Sequence, residues 1–280
     1  MLIRATWLEL LKIAARPRSY IGFAAVTVIV GIFQFAMYAD GTEYINFIVA
    51  PLQQTFSISG KILNASLVSF VVLQMLIIQV PLLVALVTGD LISGEAAMGT
   101  VRLLLTKPVS RTTILLSKFF AGSIYIALLL FWLALLSLGV GHLLFGSGDL
   151  IVLKSDGLII LQDGDILWRF FAAYGVSFLA MLVIGSLSLC LSVFSDNSIG
   201  PIVSTMAVII LFTIIGALEV PILDGIKPFL FTSHMAVWRS FFEDPIPKEQ
   251  MINSCLVLGT HVVIFMGISL WSFNRKDILS

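Results

Sequence analysis

The sequence predicts an all-α integral membrane protein. It has six transmembrane helices, an N-terminal interfacial amphipathic helix, a short cytoplasmic helix between spans two and three, and a small external β-hairpin. Three observations carry this reading. Of 280 residues, 59% are hydrophobic and 11% charged, with a mean hydropathy of +1.08, whereas ordinary globular chains run about half apolar and about a quarter charged. Six stretches reach the roughly 20 mainly apolar residues that a helix needs to cross hydrocarbon. The few charges are clustered between those stretches, and they sum to zero, which excludes a nucleic-acid binder working through a broad basic surface.

In residues 1–16, a period of 3.6 puts Ile3, Trp7, Leu10, Leu11 and Ala14 on one face and Glu9, Lys12 and Arg16 on the other. Such a helix either lies in the membrane interface and turns at Pro17 into the first span, or packs as an ordinary amphipathic helix against the bundle. The spans are 20–38, 65–87, 119–145, 167–194, 199–218 and 252–273. Tyr20, Tyr38, Trp168 and Trp271 mark span ends as interfacial aromatics. Pro81 can kink the second span, and Pro201 suits the first turn of the fifth. Between the third and fourth spans, the apolar runs 150–153 and 158–161 flank Asp156-Gly157, the pattern of a tight hairpin. Asp156, Asp163 and Asp165 read as solvated acids there. Before the last span, Phe229, Phe231, Trp238, Phe241 and Phe242 predict one or two short helices folding back toward the membrane. Cys190 and Cys255 fall in apolar runs as small buried hydrophobes. The whole is one membrane domain.

Orientation follows from the cations. Ten lie on one side of this span pattern and six on the other, while the acids divide five against eleven. By the positive-inside rule both termini are cytoplasmic, in a cell membrane.

The loop after the second span carries the most specific pattern. Between Ser93, a candidate N-cap, and Pro108, a stop, residues 93–107 predict a short helix. Glu95, Gly99, Arg102 and Thr106 follow at i, i+4, i+7 and i+11 and form one narrow polar stripe. Ala97, Val101, Leu104 and Leu105 occupy the other side. A helix of this kind presses its polar stripe into a soluble partner and keeps its apolar side on the bundle. Gly99 in mid-stripe costs about 1 kcal/mol relative to Ala, which points to close approach by something.

Ile92-Ser93-Gly94-Glu95, Gly99-Thr100, Leu103-Leu104-Leu105 and Pro108-Val109-Ser110-Arg111 resemble the cytoplasmic motif of ATP-binding-cassette (ABC) transporter permeases of the type-two exporter family. The resemblance extends to the six spans, the amphipathic N-terminal helix and Lys227-Pro228-Phe229 before the last span. The recognisable motif itself covers residues 89–118. The resemblance implies that residues 93–107 form a coupling helix seated in a groove of a separate ATPase. Glu95, Gly99, Thr100, Arg102 and Leu104 would face that ATPase with Thr106 on the same stripe, and Pro108 and Arg111 would set the return into the third span. Ala96-Ala97-Met98 departs from the family, whose members often carry more charge there. Two ATPase copies holding ATP and Mg, and a second permease copy, identical or different, are also implied. No cofactor is expected on this chain.

The chain carries no G-x-x-x-x-G-K-[ST]. Gly60-Lys61-Ile62 lacks the upstream glycine and the hydroxyl residue, so ATP hydrolysis falls to another polypeptide. Polar groups inside the spans are mild. Gln74, Gln79, Ser177 and Ser188 are candidates for a substrate path, although the stripe of Ser177, Gly185, Ser188 and Ser192 reads first as close helix packing. His261, alone in mid-span, reads as a helix–helix hydrogen bond. The three histidines lie on separate segments, with no HExxH and no matching acid, which leaves an intramembrane hydrolase without its machinery. Two functions remain. One is the permease subunit of an ATP-driven ABC exporter working by alternating access. The alternative is a non-transporting mechanotransmission subunit driven by such an ATPase, which the short outer loops disfavour.

Overall fold

The computed structural model describes residues 1–53, 62–76, 79–100, 109–154 and 157–275. Helix α1 (Leu2–Ala15) turns at Arg16 into α2 (Pro17–Gln53). Pro17 opens α2, where a missing backbone N–H leaves no bond unmade. Helices α3 (Ala65–Leu76) and α4 (Val80–Thr88) meet at 53°, with Pro81 in the first turn of α4. A short α5 (Asp90–Ala97) follows. Helix α6 (Arg111–Ala134) continues through a π-helical turn, Leu135–Val140, into α7 (Gly141–Phe145). Strands β1 (Leu150–Lys154) and β2 (Gly157–Leu161) precede α8 (Asp163–Phe194) and α9 (Ile199–Ala217). Short turns lead through α10 (Phe231–His234) and a 3-10 stretch, Met235–Phe242, to α11 (Lys248–Arg275).

Among the described residues five helices, Pro17–Glu43, Arg111–Phe145, Asp163–Phe194, Ile199–Ala217 and Lys248–Arg275, are long and apolar enough to cross a membrane. The bent pair α3 and α4 supplies a sixth crossing if it counts as one span. Large apolar side chains such as Ile32, Phe35, Phe131, Ile210 and Val263 stand exposed on these helices, as contact with lipid requires.

Helix α8 is the hub. Its apolar window is 72% buried against 11% for α9, and it touches α4, α5, α6, α9, α11 and the 235–242 stretch. Small residues allow this. A Cβ on Gly185 would stand 2.8 Å from Ile126 Cδ1. The serine and glycine stripe of α8 therefore packs helices closely, as small-residue faces do between spans.

The π turn is held by side chains from other spans. Gln34 Nε2 donates to the Leu136 carbonyl at 2.9 Å, Ser69 Oγ donates to the Ser137 carbonyl at 2.8 Å, and Ser137 Oγ lies 2.7 Å from Tyr174 Oη. A π turn displaces backbone carbonyls from the regular ladder, and in an apolar layer they must find other donors.

The expected hairpin forms, with Leu150 opposite Leu161 and Lys154 opposite Gly157. The folded-back segment also forms. Phe242 stacks edge-on to Phe170 at 4.9 Å and to Phe70 at 5.1 Å, and Trp238 is fully buried. Arg169 donates to the Phe241 and Glu243 carbonyls at 2.8 and 3.0 Å, closing the end of the 3-10 stretch. His261 Nδ1 donates at 2.8 Å to the Val257 carbonyl of its own helix. That corrects the expected helix–helix bond: the ring instead packs between Phe231 and Phe265.

Candidate functional site

The basic end of the bundle gathers α1, α5, the start of α6 and the end of α11. Helix α1 sits there with its polar face inward. Glu9 is 6% exposed, whereas Ile3 and Trp7 are 85% and 60% exposed. This overturns packing of α1 through its apolar face.

Four charges explain the orientation. Lys118 Nζ of α6 lies 2.8 Å from Glu9 Oε2 and 2.8 Å from Glu95 Oε2. Lys12 Nζ lies 2.6 Å from Glu9 Oε1 and 2.9 Å from Glu95 Oε1. Two carboxylates and two ammonium groups thus close a ring with no net charge. The Lys118 side chain is only 2% exposed, so removing its partners would leave a buried charge at a cost of several kcal/mol, by order of magnitude. Burial tends to raise the Glu95 carboxyl, but Lys118 and Lys12 outweigh it and hold Glu95 below the usual carboxylate range. Burial likewise tends to lower Lys12, and its bonds to Glu9 and Glu95 outweigh that and raise it.

A second buried acid lies one turn earlier. Asp90 Oδ2 meets Arg16 Nη1 at 2.5 Å and Asp90 Oδ1 meets Arg18 Nη1 at 2.8 Å. The Asp90 Oδ1 and Glu95 Oε2 contacts are at ion-pair distance without an aligned hydrogen bond. Gly94 makes room for the Asp90 carboxylate, which a Cβ there would strike. Ser192 Oγ of α8 accepts from the Ile92 and Ser93 amides at 3.2 and 2.8 Å, meeting first-turn N–H groups of α5. Residues 90–95 are thereby fastened to α1, to the start of α2, to α6 and to α8.

The helix expected over 93–107 begins earlier and stops earlier. Ser93 is not its N-cap: it lies inside α5, and its hydroxyl donates to the Gly89 carbonyl at 2.7 Å. The helix ends after Ala97. Gly99 takes φ +69°, its amide donates to the Ala96 carbonyl at 2.9 Å, and the Thr100 amide donates to the Glu95 carbonyl at 2.9 Å. This is a Schellman ending, which places glycine in the left-handed region just past the helix. Gly99 is thus a helix stop, and a Cβ there would meet nothing of this chain within 4 Å. Of the expected stripe, Glu95 lies on α5 and Gly99 lies beyond its end. Glu95, read from the pattern as facing outward, points into the ring.

The other expected residues are placed as follows. Gly99 and Thr100 are exposed at the tip with Ala97 and Met98. Arg102, Leu104, Thr106 and Pro108 lie outside the described residues. Arg111 opens α6 just after Ser110, whose Oγ accepts from the Thr113 amide. Its guanidinium donates to the Phe273 and Asn274 carbonyls at 3.2 and 3.1 Å, at the C-terminal end of α11 where carbonyls lack helical partners. Gln74, Gln79, Ser177 and Ser188 do not converge. Gln74 lines a groove at the far end of the bundle, Gln79 is exposed before α4, and Ser177 and Ser188 are buried in the packing of α8. Ser188 Oγ donates to the Ala85 carbonyl at 3.3 Å.

A family model described as Protein of unknown function (DUF2705) matches residues 23–279. The chain belongs to this DUF2705 family. No curated protein matches it. The DUF2705 match includes Asp90, Glu95 and Lys118 and begins after α1, so Glu9 and Lys12 lie before it. Reading the sequence missed the ring and the Gln34 bond. For Lys118 a signal exists: it stands alone between Leu115-Leu116-Ser117 and Phe119-Phe120, and a lone cation in an apolar run needs a buried partner.

Proposed function

We propose that this chain is the membrane-spanning permease subunit of an ATP-driven exporter of the ABC type. Both termini lie on the cytoplasmic side of the cell membrane, and a separate ATPase holding ATP and Mg acts on the loop after the second span. A second permease copy completes the path. The observation that carries the reading is the fastening of residues 90–95 by buried charges to α1, α2 and α6. The exposed tip, residues 97–100, is the place for a partner to push. Displacing it moves α1, the base of α2 and the base of α6 together, because separating any of them strands a buried charge. Such a unit passes closure of a motor to the spans and biases one arrangement of the central path over another. Glu95 serves in this scheme as a linkage behind the contact rather than as the contact.

The test is purification of the tagged chain from its native membrane, with the copurifying ATPase identified by mass spectrometry and ATP hydrolysis measured on the complex. Met98 is 62% exposed on the tip, so Met98→Glu is expected to lower recovery of the ATPase at least tenfold with membrane insertion unchanged. Absence of any ATPase from the wild-type preparation overturns the reading. So does undiminished recovery with both Met98→Glu and Thr100→Glu.

A further inference from the structure

At the end of the bundle opposite the charge ring, an open groove of about 580 Å³ runs between α2, α3 and β1. Small-molecule sites occupy roughly 300–1,000 Å³ and combine apolar walls with a few placed polar groups. Here Phe33, Met37, Phe70 and Met75 supply apolar wall, Gln74 supplies an amide, and Asp40 is the charged side chain among the described residues that line the groove. At 1.5 Å per helical residue, Asp40 stands about 35 Å along α2 from Pro17, beyond the roughly 30 Å thickness of hydrocarbon. Phe33 stands about 10 Å back from Asp40 along α2, and Gln74 about 14 Å along α3 from Ala65. The groove therefore reaches from the membrane interface into the apolar layer, with its carboxylate at the interfacial end and its apolar wall deeper.

We propose that this groove binds a lipophilic cation, with the cationic centre at Asp40 and the apolar body along Phe33 and Phe70. Charge complementarity selects the class. Glu43, one turn beyond Asp40 on α2, adds negative charge at the same end and repels an anion of equal shape. A neutral apolar molecule gains nothing from the carboxylate. As a substrate site the groove rests on the exporter reading, and it names the class of compound that such an exporter would take.

The experiment uses two probes of nearly the same shape and opposite charge, tetraphenylphosphonium and tetraphenylborate. Each is titrated onto the purified full chain in nanodiscs of zwitterionic phospholipid, with no ATPase present. Saturable binding of tetraphenylphosphonium is expected. Asp40→Asn should weaken it at least tenfold, and Val71→Trp or Gln74→Trp, each filling the groove, should remove it. Tetraphenylborate should show no saturable protein-dependent binding. Equal affinities for the two probes, or wild-type affinity in Asp40→Asn, overturn the proposal. So does saturable binding that both tryptophan variants leave intact, or a wild-type groove so occupied by phospholipid or a second copy that tetraphenylphosphonium does not bind. Because binding is read without the motor, its failure leaves the ATPase partnership standing, and loss of that partnership leaves the binding result standing.

Discussion

Lys118 Nζ lies 2.8 Å from Glu95 Oε2, joining the base of the third apolar helix to the segment that follows the bent pair. Neither residue could be buried alone. Each is stabilised because Glu9 and Lys12 complete the ring, so α1 is held by these charges together with the buried Ile13, while Ile3 and Trp7 stay exposed.

Removing one member tests that ring. Lys118→Met leaves Glu9 and Glu95 sharing a half-exposed Lys12, and breaking a buried pair in this way costs about 3–5 kcal/mol. Thermal unfolding in detergent should register the loss, and the double variant Lys118→Met/Glu95→Gln should recover part of it because one stranded carboxylate becomes neutral. A single variant within 1 kcal/mol of wild type would show that the ring does not hold α1.

The pH dependence has a defined sign. Glu95 is held below its ordinary 4.5, so its contribution is complete above that value and is lost as pH falls through the lower folded pKa. Lys12 is raised above its ordinary 10.5, so its contribution is complete below that value and is lost as pH rises through the higher folded pKa. Protection of the α1 amides, corrected for intrinsic exchange, should be flat across the neutral range and fall only at the acid and alkaline extremes. A step near neutrality would mean that some other group sets the docking of α1.

Gly99 should behave as a helix stop. With φ at +69°, Gly99→Ala carries a penalty of about 1–2 kcal/mol, whereas Gly99→Asn is milder because asparagine tolerates the left-handed region. Amide exchange over residues 95–98 reads this directly. Equal protection in all three proteins would contradict the Schellman ending.

Gln34→Leu should loosen the π turn. It removes the donor to Leu136, and buried hydrogen bonds between spans are worth about 0.6–2 kcal/mol. A melting temperature unchanged from wild type would show that the Leu136 carbonyl finds another donor.

The sequence made the apolar helices legible because their length and composition are local properties, and the hairpin because Asp156-Gly157 between apolar runs is a local signal. The ring was not legible. Its contacts join residues 83 and 109 positions apart, and no periodicity reports such pairs. The pattern of α1 separates two faces correctly, yet periodicity alone does not say which face meets protein, and the polar one does. Gly99 illustrates a third limit. The apolar residues after it continue a helical period, which masked the ordinary role of glycine as a stop. Gln34 was hidden inside an apolar run whose average it barely changes.

The most direct test of the central claim is hydrogen exchange of the purified chain with and without its ATPase. New protection is expected at residues 96–100, with none at the hairpin formed by β1 and β2. Protection at the hairpin instead, or an unchanged tip in a complex that hydrolyses ATP, would contradict the claim.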